Sequence, residues 1–180
     1  MSMITVVTGA AGVLGSEVAR VLLERGHHVA ALDRPSARLD AMARPGACLP
    51  IALDLTSAED WQKAVSRIET ELGGPTGAVL TAGGWAGGAP AQAGAEDPTW
   101  RRMFELNLET VERSLRALVG KMVERRHGSI VVIGSRASER PWESKGAAAY
   151  AASKSAAAAY TRTIAAETVD SGVRLNVVLP

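Results

Sequence analysis

Short aliphatic runs alternate with longer segments of helical periodicity along the whole chain, and this alternation limits the folds that the chain can adopt. The aliphatic runs cover residues 4–8, 28–33, 49–53, 78–82, 129–134 and 173–179. The helical patterns cover residues 13–25, 35–42, 56 or 57 to 72, 98–125 and 147–168. This order predicts an α/β fold in which a parallel sheet carries helices on both faces, because each crossover between parallel strands is right-handed. The loops 83–97 and 135–146 follow strand ends, where such folds place functional residues.

Length and composition exclude several classes of protein. A chain of 180 residues with 47% hydrophobic and 22% charged residues favours one globular domain over residues 1–180. The formal net charge of +1 gives no electrostatic reason to expect a nucleic acid or an anionic membrane as partner. Residues 1–10 lack the pattern of a secretion signal and no apolar run could span a bilayer, so we expect a cytoplasmic protein. The single cysteine, Cys48, excludes an internal disulfide, and no residues are spaced as metal ligands.

A glycine-rich turn, TGAAGVLGS at residues 8–16, joins the first aliphatic run to the first helical pattern. Glycines at such a junction allow the backbone to turn tightly and to approach a pyrophosphate, which the helix N-terminus then stabilises. The turn therefore predicts a dinucleotide site, with a purely structural tight turn as the alternative. The candidate cofactor-binding residues of this turn are Gly9, Ala11, Gly12, Val13, Leu14 and Gly15.

Two acidic residues follow the next two aliphatic runs. Asp33 lies 18 residues after Gly15, where a carboxylate can accept hydrogen bonds from the adenosine ribose and repel a 2′-phosphate. This favours NAD(H), while the adjacent Arg34 could hold the phosphate of NADP(H) and leaves that cofactor open. Asp54 and the adjacent Leu55 are candidate cofactor-binding residues, Asp54 as a partner of the adenine amino group, with an ordinary helix cap as the alternative for Asp54.

The segment YAASK at residues 150–154 places a phenol and an ammonium one helical turn apart on the same face of a helix. A free tyrosine has a pKa of about 10, and a nearby cation lowers the pKa of the phenol because it favours the phenolate. A YxxxK pattern alone often occurs by chance, but here it opens a helix shortly after the aliphatic run IVVIGS. We therefore interpret Tyr150 and Lys154 as a proton relay.

Together these motifs resemble the short-chain dehydrogenase/reductase family over essentially the whole chain. The similar segments are TGAAGVLG (8–15), Asp33, LDL (53–55), TAGG (81–84), Asn107, IVVIGS (130–135), YAASK (150–154) and VRLNVVLP (173–180). Beyond the glycine turn and the two acids, the resemblance assigns five further residues to the cofactor site: Ala82, Gly83, Gly84, Tyr150 and Lys154.

The resemblance also implies a set of four catalytic residues. Asn107 would organise a water chain, and Ser135 would hold the substrate oxygen. Tyr150 would be the general acid or base, while Lys154 would bind the nicotinamide ribose and lower the pKa of the phenol. Hydride would then pass between the nicotinamide and a substrate carbon while Tyr150 exchanges the proton on oxygen.

For the fold, the resemblance implies a Rossmann-type doubly wound sheet in three layers with strand order 3-2-1-4-5-6. Members of the family normally continue well beyond the position of Pro180, so the usual seventh strand is absent from this sequence. Residues 173–179 would then form a hydrophobic edge with unpaired backbone groups. We therefore expect either a longer natural product or a strand supplied by a partner.

Three positions depart from the usual pattern of the family. Val13 stands where the most familiar members have glycine. Thr81 replaces the usual asparagine after the fourth strand, and so it must replace an amide that stabilises the sheet. Ser135 precedes Tyr150 by 15 residues, about two more than usual, and this spacing makes Ser138 a rival catalytic serine. We favour Ser135 because it closes the strand.

The implied activity is that of an NAD(H)-dependent oxidoreductase that interconverts a carbonyl and an alcohol of a small molecule. The segments GGWAGG (83–88) and GVLGS (12–16) are also similar to dihydropteridine reductase, so reduction of a quinonoid pterin is one alternative. A catalytically incomplete dinucleotide-binding module is another. In this family the helices that contain Asn107 and Tyr150 build a subunit interface, and the many alanines of residues 147–168 agree with a homodimer or homotetramer.

Overall fold

The computed structural model describes residues 3–88, 90, 92 and 99–180. Within these residues, six strands form one parallel sheet in the order β3-β2-β1-β4-β5-β6, which confirms the predicted doubly wound fold. The strands are β1 (Ile4–Thr8), β2 (His28–Asp33), β3 (Cys48–Ala52), β4 (Gly77–Leu80), β5 (Gly128–Ile133) and β6 (Val173–Val178). The central strand β1 pairs with β2 and β4, so that Val6 lies beside Ala30 and Ala78.

The described residues also form six α-helices. They are α1 (Val13–Glu24), α2 (Ala37–Asp40), α3 (Ala58–Glu71), α4 (Thr99–Phe104), α5 (Thr110–Glu124) and α6 (Ala148–Glu167). The single long helix expected over residues 98–125 is confirmed over residues 99–124 as one uninterrupted helical run, in which a π-helical turn at Glu105–Glu109 lies between α4 and α5. Much of the expected loop 83–97, namely residues 89, 91 and 93–97, and the expected helix start at residue 98 lie outside the described residues. Short 3₁₀ turns occupy Arg136–Ser138, Pro141–Glu143 and Val169–Ser171.

Both faces of the sheet are covered, because successive residues of a buried parallel strand point to opposite sides. One face packs against α1 and α2, where Ala19 and Leu39 belong to one apolar cluster. The other face packs against α3, α5 and α6 through a larger cluster that includes Trp61, Leu115 and Ala157. This three-layer arrangement brings the carboxyl ends of the strands to one edge of the sheet, and the loops that carry the expected site residues follow them.

Strand β6 lies at an edge of the sheet. It pairs with β5, and no strand pairs with its other side in the part of the chain that the structure describes. Val178 is 48% exposed there, in agreement with the expected hydrophobic edge. None of the helices in the described residues has the length and apolar character needed to cross a bilayer. That residues 1–180 form one domain stays a prediction.

Candidate active site

A cleft of about 760 Å³ lies at the carboxyl ends of the strands, between the glycine turn after β1 and the loop after β4. The expected cofactor residues that line it are Gly9, Gly12, Val13, Leu14, Gly15, Asp33, Arg34, Asp54, Leu55, Ala82 and Gly83. Its walls also contain residues that the sequence analysis missed, namely Pro35, Leu53, Thr56, Thr81, Glu105, Leu106 and Thr110. Four expected residues lie outside this lining: Ala11, Gly84, Tyr150 and Lys154.

The glycine turn is packed too closely to admit side chains. A Cβ at Gly15 would overlap the Gly9 carbonyl oxygen and lie 2.8 Å from Thr81 Oγ1, and a Cβ at Gly9 would lie 2.9 Å from Ala82 N. Gly9 also has a φ of +65°, in the left-handed region that favours glycine. Val13, in contrast, is 84% exposed at the first turn of α1, and so the residue that departs from the family pattern causes no crowding. At Gly9, Gly12 and Gly15 the turn therefore brings backbone to the wall of the cleft, beside the side chains of Val13 and Leu14.

The Asp33 carboxylate is fixed by two backbone amides at the end of β2. Its Oδ2 accepts a hydrogen bond from Ala11 N at 2.9 Å, and its Oδ1 accepts one from Arg34 N at 2.7 Å. The first of these bonds joins β2 to the glycine turn. Ala11 thus helps to position the Asp33 carboxylate, although Ala11 itself does not line the cleft. The carboxylate is therefore positioned on the cleft wall by local backbone geometry.

Asp54 has local partners in the loop after β3. Its Oδ1 accepts hydrogen bonds from the backbone N–H and the hydroxyl of Thr56, and these bonds lower the pKa of the carboxyl, with a further contribution from the Arg34 guanidinium. Helix α3 is capped by Ser57, whose hydroxyl oxygen accepts a hydrogen bond from Asp60 N. The helix-cap alternative for Asp54 is therefore wrong, and its carboxylate lies on the cleft wall instead.

Thr81 connects the end of β4 to the end of β1. Its hydroxyl donates a hydrogen bond to the Thr8 carbonyl oxygen at 2.6 Å, and Ala82 N donates to the Thr8 hydroxyl oxygen at 3.4 Å. This confirms the expectation that Thr81 takes over the stabilisation of the sheet from an amide side chain. A threonine can do so because the strand ends approach closely enough for its short side chain.

Asn107 is fully buried in the middle of the π-helical turn. Its Oδ1 accepts a hydrogen bond from Gly84 N at 2.9 Å, and its Nδ2 donates to Gly84 O at 3.0 Å and to Ser153 Oγ at 3.1 Å. The amide therefore ties the loop after β4 to α6. That Asn107 organises a water chain stays a prediction.

Lys154 is only 7% exposed, and its Nζ donates a hydrogen bond to the Ile133 carbonyl oxygen at 2.9 Å. Burial lowers the pKa of the amine from 10.5 to about 8, because desolvation disfavours the charged form. A Cβ at Gly83 would lie 3.2 Å from Lys154 Nζ and 2.7 Å from Asn107 Oδ1. Tyr150 lies one turn earlier on α6 and is partly exposed. The structure thus brings the lysine, the asparagine and the loop after β4 into one cluster.

The two candidate serines differ in their surroundings. Ser135 follows β5 directly, is partly exposed, and its hydroxyl oxygen accepts a hydrogen bond from Ala137 N at 3.2 Å. Its own O–H therefore remains available to donate. The hydroxyl oxygen of Ser138 is enclosed and has no hydrogen-bond partner within the described ranges.

The chain is similar to known proteins over nearly its whole length. A sequence model of the short chain dehydrogenase family matches residues 3–180. The chain is 34% identical over 184 residues to 2,3-dihydro-2,3-dihydroxybenzoate dehydrogenase of Bacillus subtilis, which covers 98% of this chain and 68% of that protein. It is 33% identical over 177 residues to galactitol 2-dehydrogenase (L-tagatose-forming) of Cereibacter sphaeroides, covering 97% of this chain and 68% of that protein.

Among solved structures, L-sorbose reductase from Gluconobacter frateurii, complexed with NADPH and L-sorbose, superposes with a TM-score of 0.87 at 25% identity. That superposition covers 99% of this chain and 69% of the reductase chain. The chain therefore spans about two thirds of the length of each of these three proteins.

Proposed function

Because the chain belongs to the short chain dehydrogenase family, we propose that it is an NAD(H)-dependent oxidoreductase that interconverts an alcohol and a carbonyl of a small molecule. The observation that carries this proposal is the cluster around Lys154. Its amine is buried at the carboxyl edge of the sheet, next to Gly83 and one helical turn from Tyr150. A buried amine near a phenol is suited to proton transfer, because a lysine charge favours the phenolate.

The residues of the cleft fit a nicotinamide dinucleotide. The glycine turn presents backbone at the start of α1, where phosphates are stabilised by unpaired amides and by the helix dipole. Gly83 allows the backbone to approach Lys154 Nζ, because a Cβ there would lie 3.2 Å from that nitrogen and 2.7 Å from Asn107 Oδ1, and the lysine is proposed to bind a ribose hydroxyl of the cofactor. When bound, the nicotinamide supplies or accepts the hydride.

Tyr150 is proposed as the group that moves the proton. In oxidation its phenolate takes the proton of the substrate hydroxyl as hydride leaves the carbon, and in reduction its phenol returns a proton to the oxygen. Lys154 supports the phenolate when the amine is charged, which in the ligand-free protein is mainly below its pKa of about 8. Bound anionic groups would raise that pKa and extend the range.

Ser135 is proposed as the residue that orients the substrate oxygen. Its partly exposed hydroxyl keeps a free O–H to donate, whereas the Ser138 oxygen is enclosed. This contrast supports Ser135 despite its unusual spacing. Replacing Ser135 by alanine should lower kcat by about 10²-fold, a typical loss for one donor to a reacting oxygen, while Ser138→Ala should leave kcat within about twofold.

We propose a preference for NAD(H) over NADP(H). Three carboxylates line the cleft, those of Asp33, Asp54 and Glu105, against the single guanidinium of Arg34 within that lining. A 2′-phosphate beside Asp33 would meet a fixed negative charge, because both carboxylate oxygens are held by backbone amides. Asp33→Ala should therefore raise the ratio of NADPH to NADH affinity by about tenfold, measured by fluorescence titration. An unchanged ratio would contradict this assignment.

The substrate is proposed to be a small polyhydroxylated alcohol or the corresponding ketone. The named compounds of the similar proteins, 2,3-dihydro-2,3-dihydroxybenzoate, galactitol and L-sorbose, all carry neighbouring hydroxyl groups. A turnover screen should pair NAD⁺ and NADP⁺ with galactitol and cyclohexane-1,2-diol, and NADH and NADPH with L-sorbose and quinonoid dihydropterin. Turnover of a polyol or its ketone is expected, and turnover of the pterin alone would establish the alternative suggested by the loop 83–88.

The same screen tests the dinucleotide-binding module. That alternative predicts NADH binding without turnover of any compound, because part of the length of the similar enzymes lies outside this chain. Turnover that depends on Tyr150 would exclude it.

A homodimer through α5 and α6 is also proposed. Small residues such as Ala148 and Ala159 are exposed on α6 and would allow close approach of a second copy. Analytical ultracentrifugation should show a dimer at micromolar concentration, and a monomer throughout would refute this arrangement.

A further inference from the structure

Ser153 lies between Tyr150 and Lys154 in the sequence, and its side chain is fully buried. Its hydroxyl donates a hydrogen bond to the Tyr150 carbonyl oxygen at 2.9 Å, within the first turns of α6. The same hydroxyl oxygen accepts a hydrogen bond from Asn107 Nδ2 at 3.1 Å. Ser153 therefore connects the helical turn that carries the proposed proton relay to the π-helical turn that separates α4 from α5.

The connection continues from Asn107 to the loop after β4. The amide of Asn107 binds both backbone groups of Gly84, at 2.9 and 3.0 Å, and the neighbouring Gly83 lies against Lys154 Nζ. The remaining neighbour of Asn107 Nδ2 is Met103 Sδ at 3.8 Å, a weak acceptor. Without the Ser153 oxygen, one buried N–H of Asn107 would lose its good acceptor, and the side chain could rotate away from Gly84.

We propose that Ser153 is a positioning residue for the relay. Through Asn107 it fixes the distance between the loop 83–84 and the turn of α6 that carries Tyr150 and Lys154. The inference rests on the proposed function, because it assigns Ser153 a role in the same site. Small displacements of reacting groups strongly lower the reaction rate. Loss of the Ser153–Asn107–Gly84 hydrogen bonds, called the tether below, should therefore lower kcat more than it weakens cofactor binding.

Ser114 provides a matched control. It is also a buried helical serine, and its hydroxyl donates to the Thr110 carbonyl oxygen at 2.6 Å, four residues earlier in the chain. Among the residues that the structure describes, Ser114 makes only that backbone bond through its hydroxyl, whereas Ser153 combines its backbone bond with an accepted bond from Asn107. Serine-to-alanine substitutions at the two positions therefore remove a similar helix bond, and only one of them breaks the tether.

The test compares the parent protein with Ser153→Ala, Ser153→Cys and Ser114→Ala. The substrate is the polyol or ketone turned over fastest in the panel of galactitol, cyclohexane-1,2-diol and L-sorbose. With it, Ser153→Ala should lower kcat by about tenfold or more, while the KM for the cofactor consumed (NAD⁺ with a polyol, NADH with the ketone) changes less than about twofold. Ser153→Cys keeps a weak acceptor and should recover part of kcat. Ser114→Ala should lose similar thermal stability and keep kcat within about twofold. Equal kcat values in the two alanine variants would overturn the proposal.

A second measurement needs neither turnover nor a stable variant. In the parent protein the Gly84 amide should exchange slowly with solvent, as measured by NMR, because it donates to a buried Asn107. Exchange at the rate of a free peptide would refute the tether. Where Ser153→Ala folds, its Gly84 amide should exchange at least about tenfold faster, with no change in Ser114→Ala. Absence of turnover in the parent with every compound would count against the proposed function, whereas Gly84 exchange tests the tether independently.

Discussion

The two halves of the candidate active site are held in place by different kinds of contact. In the glycine turn, backbone atoms pack directly against other backbone atoms: Gly15 packs against Gly9 and Gly9 packs against Ala82, so neither glycine has room for a Cβ. Around the relay, side chains reach between separate elements, as Asn107 does towards Ser153 and as Lys154 does towards the end of β5. The glycine turn of the cofactor half thus depends on the absence of side chains at Gly9 and Gly15, and the catalytic half depends on the presence of particular polar side-chain atoms.

This difference predicts opposite responses to substitution. Adding atoms to the glycine turn should remove cofactor binding, because a close-packed backbone cannot move without its neighbours. Replacing a polar atom near the relay should leave the cofactor cleft intact and change turnover or titration instead. The contrast would be wrong if a substitution in the glycine turn changed only turnover, or if the loss of a polar atom near the relay removed cofactor binding.

The largest effect on binding is expected for Gly15→Ala. The added Cβ would overlap Gly9 O and lie 2.8 Å from Thr81 Oγ1, so the turn must open. We expect NADH affinity to fall at least about 100-fold, corresponding to about 3 kcal/mol. Gly120→Ala is the control, because a Cβ there meets nothing within 4 Å, and it should raise helix stability by up to about 1 kcal/mol. NADH titrations that give equal affinities for the two variants would show that the turn is not a cofactor cradle.

The next effect concerns the charge of Lys154. The unfolded amine has the ordinary pKa of 10.5 and the folded one a pKa of about 8, so the unfolded state binds more protons between these values and stability rises with pH there. Below pH 8 the buried charge costs on the order of 3 kcal/mol, at about 1.4 kcal/mol per pKa unit. In the absence of cofactor, Lys154→Met should therefore be more stable than the parent at pH 7 by about 1 kcal/mol, after the loss of about 2 kcal/mol for the hydrogen bond of the charged amine to Ile133 O.

This gain should shrink as the pH rises from 8 to 10.5, which urea unfolding at several pH values can measure. Lys63→Met is the control, because Lys63 is exposed and its pKa is raised by hydrogen bonding and attraction to Glu59. Its substitution should give no gain at pH 7. A gain for Lys154→Met that is independent of pH would show that apolar packing, rather than the buried charge, is responsible.

The smallest effect is expected at Thr81, where the two halves meet. Thr81→Val removes the hydroxyl that donates to Thr8 O and should cost about 1–2 kcal/mol of unfolding free energy. Because Thr81 also lines the cleft, NADH affinity should fall a few-fold. Thr81→Ser keeps the hydroxyl and should retain most of the NADH affinity. If Thr81→Val binds NADH with the affinity of the parent, the hydrogen bond between the ends of β1 and β4 does not influence cofactor binding in the cleft.

The same contrast explains what could be predicted from the sequence. The strands and the glycine turn follow from local patterns, since apolar runs and glycine spacing directly reflect burial and backbone approach, whereas the strand order came from the family resemblance. The cleft-lining residues Glu105, Leu106 and Thr110 were missed because a regular helix was expected there, and the π-helical turn that contains the first two and precedes the third leaves no local pattern in the sequence. Ser153 was missed because its importance comes from a contact 46 residues away in the chain, which no local pattern reports.

The Ser135–Ser138 ambiguity shows the same limit. Spacing in the sequence counts residues in a loop and does not reveal which hydroxyl the loop encloses. The structure distinguishes the two serines by their surroundings, since the hydroxyl oxygen of Ser138, at the end of the 3₁₀ turn, is buried and the hydroxyl of Ser135 is partly exposed.

The central claim is that the Tyr150 phenol exchanges a proton with substrate beside a bound nicotinamide. Tyr150→Phe removes one oxygen and preserves the ring, so turnover and NADH affinity measured on the same preparation test it most directly. We expect turnover to fall about 10²- to 10⁴-fold while the NADH dissociation constant stays within about twofold. Turnover equal to that of the parent, at equal NADH affinity, would contradict it.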